Sequence, residues 1–136
     1  DAHIFGQVVD KVFLLIGTND IGKEMPLSET IDHMTSILQQ IARLLPLAQI
    51  KLLSVLPVNE GAIYKGTVYI RSNQKIQALN QAYRDLAEGM VNVEFIDVFD
   101  CLLGADGQLK PAYTTDGLHL TIEGYRVLSE RLQKEL

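Results

Sequence analysis

A chain of 136 residues suits one domain with a core of its own, and 47% hydrophobic against 21% charged residues is the balance of a globular protein, not of a disordered or membrane-embedded one. The net charge of −5 leaves no basic excess to follow a phosphate backbone, so nucleic acid is not an expected partner, and no apolar run nears the ~20 residues of a membrane span. The one cysteine, Cys101, excludes an intrachain disulfide and a multi-cysteine metal site, and within Phe99-Asp100-Cys101-Leu102-Leu103 it reads as a small buried hydrophobe.

Asp1-Ala2-His3-Ile4-Phe5 lacks the basic start and apolar centre of a signal peptide, which leaves the compartment open. Residues 1–11 are too few for a complete strand and helix. Val12 to Ile16 is then a run of five apolar residues, expected to be a strand buried on both faces of a parallel sheet. It stops at Gly17-Thr18-Asn19-Asp20, four small or polar residues suited to a turn. In open α/β sheets ligands sit beyond the carboxyl ends of strands, so this turn is a candidate site by position. The plain alternative is a strand-to-helix turn in which Asn19 or Asp20 caps backbone amides.

Ile21 to Leu27 is expected to be a loop, with Ser28 as a helix N-cap. Ile31, Met34, Leu38, Ile41 and Leu45 recur at steps of three and four and mark the buried face of a helix that Pro46 ends. His33 falls on its polar side. Ile50 to Leu56, closed by Pro57, reads as a second buried strand. Val58 to Thr67 is irregular and would share the rim of the sheet with Gly17 to Asp20. A second helix carries Ile76, Leu79, Tyr83, Leu86 and Met90 inward and ends near Gly89. Val93 to Val98 is a third strand, and Gly104 to Gly107 a turn. Lys110 to Leu120 leads into a last helix, capped by Thr121 and buried through Tyr125, Leu128 and Leu132. Strands alternating with helices imply an α/β domain with a parallel sheet and helices on its faces. An apolar first strand with nothing beside it implies that further strands precede residue 1.

Asp116-Gly117-Leu118-His119 places a carboxylate and an imidazole three residues apart in a loop that turns into a helix. A carboxylate on one ring nitrogen fixes the tautomer and leaves the other as a general base. Read alone, the same residues also fit a turn aspartate and a half-buried packing histidine. Taken together, Gly17-Thr18-Asn19-Asp20 and Asp116-Gly117-Leu118-His119 resemble the SGNH (GDSL-type) hydrolase superfamily over almost the whole chain, including the strand end Val55-Leu56-Pro57-Val58. The resemblance implies a flavodoxin-like three-layer α/β/α sandwich and hydrolysis of carboxylic esters. It assigns Asn19 to the oxyanion, and Asp116 and His119 to a Ser-His-Asp triad. Gly17, Thr18 and Asp20 would shape the substrate side of the turn, with Asp20 chiefly bracing it, and Asn59 would contact substrate from its own loop.

The family's Gly-Asp-Ser block and its oxyanion-glycine block are both absent. Ser28, Ser36, Ser72 and Ser129 read as helix caps or faces, Ser54 lies inside a strand, and Gly6 is too near the first strand to be the missing glycine. Asp1 to Val8 reads as a shortened tail of the helix after that second block, and an omission of residues between Gly6 and Lys11 stays open. The chain is therefore expected to be the carboxyl-terminal part of such a hydrolase, its nucleophile outside these residues. No cofactor is implied, and three scattered histidines give no metal site enough ligands. The expected partner is a small acyl ester, an acetylated sugar or short-chain lipid ester. Other readings are a non-catalytic member of the fold that binds a glycan or acyl group, and an interaction module that keeps the loops for packing.

Overall fold

The computed structural model describes residues 10–136, together with the backbone of two paired dipeptides before them. These are β1 (His3–Ile4) and β2 (Gln7–Val8), which pair antiparallel. They are extended where the tail of a helix is expected; readings that rest on Asp1, Ala2, Phe5, Gly6 or Val9 lie outside the described residues.

The sheet is formed by β3 (Lys11–Leu14), β4 (Gln49–Leu53) and β5 (Val93–Ile96), all parallel, with β4 in the middle. Val12 sits opposite Ile50, and Ile50 opposite Val93. The first strand was expected to be buried on both faces. Instead β3 is a sheet edge among the described residues: Val12, Phe13 and Leu14 are half-buried, and Leu15 and Ile16 run past the last rung, each 42% exposed. An apolar run specifies strand and not position in the sheet, because burial depends on which neighbours are present.

The helices are α1 (Thr18–Gly22), α2 (Leu27–Leu44), α3 (Lys65–Val68), α4 (Asn73–Glu88) and α5 (Ile122–Leu132). On one face of the sheet, α2 supplies Met34 and Leu38, and α4 supplies Ile76, Leu79 and Tyr83, against Ile50 and Leu52 of β4. On the other face, Leu128 of α5 packs with Leu53, Ile96 and Val98. Alternation along β4 thus feeds two cores, and the domain is the three-layer α/β/α sandwich expected.

Details of the helix ends differ from expectation. Pro26 precedes α2, so Ser28 lies in the first turn and makes no capping bond. Ser72 and Thr121 do cap, their hydroxyls accepting from the amides of Lys75 (3.1 Å) and Gly124 (3.2 Å). Tyr125 is 59% exposed; the buried face of α5 runs through Gly124 and Leu128 instead. Among the described residues no helix is long and apolar enough to cross a membrane.

Beyond Leu53 the β4 segment leaves the ladder but stays buried, and side chains take over its backbone bonds. Ser54 Oγ accepts from the Val98 amide (2.8 Å). The Asn80 side-chain amide accepts from Val55 N (2.7 Å) and donates to Val55 O (3.1 Å), as a neighbouring strand would. Asn73 repeats the pattern at Val58, at 2.8 and 2.9 Å. The two asparagines stand seven positions apart, two helical turns, so one face of α4 splints the segment. The same face brings the Tyr83 hydroxyl to the carbonyl of Ile16 at 3.0 Å. The exits of β3 and β4 are therefore both fixed by α4.

Candidate active site

The loop from Thr114 to Leu120 is tied into a hairpin-like fold by the bridge between those two residues. At its centre is buried Thr114, whose Oγ1 donates to the carbonyl of His119 (2.7 Å) and accepts from the amide of Gly117 (2.9 Å). Gly117 has φ +85, and a side chain there would meet Tyr64 at 2.6 Å, so glycine is required both by conformation and by space. Asp116 then turns back on its own loop. One carboxylate oxygen, Oδ1, accepts from the amides of Leu118 (2.9 Å) and His119 (2.8 Å), and the other, Oδ2, lies 2.6 Å from His119 Nδ1. Burial works against the Asp116 charge. The ring and amide of His119 and the amide of Leu118 outweigh it and hold the carboxyl down at about 2. At neutral pH the ring thus faces a carboxylate. The His119 side chain is 73% exposed, and Nε2 has no hydrogen-bond partner among the described residues.

The other expected segment leaves β3 through Gly17, whose φ of +144 only glycine adopts at ease. A Cβ there would come within 2.9 Å of both Leu79 and Val55, so the turn is pressed onto α4 and β4. A single-turn helix, α1, begins at once where a turn followed by a loop was expected, and it carries the remaining candidates. Asn19 is exposed and its side chain makes no hydrogen bond among the described residues. Asp20 lies 3.8 Å from His33 Nδ1, which links α1 to α2 and gives His33 a partner. Thr18 Oγ1 is the buried side-chain oxygen that finds no hydrogen-bond partner among the described residues.

The two segments meet. Gly17 and Thr18 line a cavity of about 100 Å³ together with Val55, Leu56 and Leu118, the residue just before His119. Asn59 is placed differently from the other candidates. It is buried, its Nδ2 donates to Leu109 O (2.8 Å), and its Oδ1 accepts from the Gly61 amide (2.9 Å). Its own amide N donates to Gly117 O (2.9 Å). Both ends of the side chain are used within the protein, so Asn59 braces one loop against the other and does not reach the opening. Cys101 is half-buried, with Sγ 3.0 Å from Val98 O, and burial pushes its thiol up. It takes no part in the site.

Sequence reasoning missed Thr114, Asn80 and Arg71, whose Nε donates to the Thr18 carbonyl at 3.1 Å, and read Tyr83 as a core residue without its bond to Ile16. A signal existed for Asn80, since an asparagine four residues after Ile76 falls on the apolar face of its helix. None existed for Arg71.

A family model described as GDSL-like Lipase/Acylhydrolase matches residues 3–127. The GDSL esterase/lipase WDL1 of Oryza sativa subsp. japonica is 26% identical over 155 residues, covering 96% of this chain and 59% of that protein. A Streptococcus pneumoniae structure provisionally described as a platelet activating factor superposes with a TM-score of 0.93 at 57% identity, over 98% of this chain and 63% of that one. A GDSL-like lipase from Bacteroides thetaiotaomicron gives 0.70 at 25% identity, over 91% and 60%. The chain thus spans about three fifths of the length of these relatives. With the sandwich, the two loop segments and a family match over nearly its full length, the chain belongs to the GDSL-like lipase/acylhydrolase family of the SGNH hydrolase superfamily.

Proposed function

We propose that these residues form the His-Asp and oxyanion part of an esterase that hydrolyses carboxylic O-acyl esters, with a serine outside the 136 residues as nucleophile. The observation that carries this reading is the 2.6 Å pair of Asp116 Oδ2 and His119 Nδ1, set so that Nε2 stays open. In the reaction, His119 Nε2 takes the proton of the serine hydroxyl as its oxygen attacks the acyl carbon. Asp116 holds the ring in that tautomer and stabilises the imidazolium that forms. The Asn19 amide donates to the carbonyl oxygen as it becomes an oxyanion. Collapse expels the alcohol, which takes the proton from His119. Water then attacks the acyl-enzyme, giving its proton to Nε2, and the acid leaves as the serine oxygen is reprotonated. The small apolar cavity suits a short acyl group, as in an acetylated sugar or short-chain lipid ester.

The test is turnover of p-nitrophenyl acetate by the full-length protein and two variants. His119→Ala should nearly abolish kcat, and Asn19→Ala should lower it by roughly 10²–10³-fold, as loss of one oxyanion donor does. Full turnover by His119→Ala would end the triad reading.

A further inference from the structure

The loop between β4 and α4 encloses a second, polar hollow. Its volume is about 180 Å³, and Glu60, Gly61, Lys65, Val68, Tyr69 and Arg71 line it. Arg71 is half-buried, yet among the described residues it donates only to backbone carbonyls: Nε to Thr18 (3.1 Å), and Nη1 to Thr67 (3.1 Å) and Val68 (3.4 Å). Among the described residues neither Arg71 nor Lys65 forms an ion pair. The one carboxylate in the lining, Glu60, accepts from the neutral Gln108 Nε2 at 3.1 Å, keeps its charge, and pairs with neither cation among the described residues. A guanidinium taken partly out of water without a counter-charge is costly, and its planar fork matches carboxylate and phosphate oxygens. Nη2 makes no hydrogen bond among the described residues and lies over Gly22, where a Cβ would come within 2.5 Å of it. Tyr69 is a second, independent sign. It is 70% exposed and held at φ 57, ψ −117, a conformation that glycine favours, and such strain gathers at ligand clamps.

The hollow borders both site segments, because Arg71 holds the Thr18 carbonyl and Val68 lies against Gly117. We propose that it is an anion subsite, in which Arg71 and Lys65 receive a carboxylate or phosphate group carried by the ester substrate. This rests on the esterase reading and extends it: the preferred esters would be those of acidic sugars or of phosphate-bearing alcohols, ahead of neutral ones.

Binding to the full-length protein, followed by calorimetry, would use glucuronate against glucose and glycerol 3-phosphate against glycerol. At least one anion should bind about tenfold more tightly than its neutral parent, and the stronger of the two identifies the group. Arg71→Gln should erase the difference. Because Arg71 also braces Thr18, Lys65→Gln is the second variant; Lys65 is exposed and makes no side-chain hydrogen bond among the described residues, and its loss should shrink the difference about threefold. Anions that bind no better than their neutral parents, or a preference untouched in both variants, would overturn the subsite. Hydrolysis of acetylated glucuronate and acetylated glucose separates the two readings. Tight anion binding without hydrolysis of either ester would sink the esterase reading alone. Equal hydrolysis of both without anion binding would sink the subsite alone.

Discussion

Asp116 does two jobs, and they can be measured apart. Its carboxylate orients His119, so Asp116→Asn should lower kcat by roughly 10⁴-fold while the protein stays folded. It also stabilises the loop through its charge. An unfolded aspartate titrates near 3.9, and the folded group is held at about 2. The stabilisation is therefore complete above about pH 4 and is lost as pH falls toward 2. Chemical denaturation at stepped pH should show a falling limb in that window for the native protein, and a flatter one for Asp116→Asn. Gly17 is the residue with least freedom: its φ of +144 and the 2.9 Å approaches to Leu79 and Val55 should make Gly17→Ala cost about 2–4 kcal/mol in urea denaturation. The aspartate and histidine were legible in the sequence because they share one short loop. Arg71 was not, because its partner Thr18 lies 53 residues away.

At the scale of elements, periodicity read α2, α4 and α5 well because each is long enough for its apolar face to repeat. It could not find α1 or α3, which have five and four residues and so never complete a pattern. Nor could it foresee that α4 would stand in for a strand beside Val55 and Val58, since a hydrogen bond from a side-chain amide leaves no period. That role is open to a direct test. Asn80→Ala leaves the buried amide and carbonyl of Val55 without partners and should cost about 2–4 kcal/mol. Asn73 is half-buried, so Asn73→Ala should cost less. Equal and small losses for both would mean that the segment keeps its path without the helix.

For the molecule as a whole, the unsettled place is the outer side of β3. Its backbone edge pairs only with β4 among the described residues, and Leu15 and Ile16 stand exposed beside it. An apolar strand with a free edge recruits other strands. Residues 1–136 expressed alone should therefore self-associate, seen as a sedimentation coefficient that rises with concentration, and Ile16→Lys should reduce the effect. A monomer that unfolds in one cooperative transition would show that this edge needs no cover.

The splint on α4 also sets how the rim opens. The amides of Val55 and Val58 are held by the helix and not by a strand, and Ile16 is fastened to the same helix through Tyr83. The amide protons of Val55 and Val58 should then exchange with solvent when α4 lifts from the sheet, at one shared rate, and not as the strands part in sequence. Residues that arrive at the site from two separate strands would loosen and re-form together.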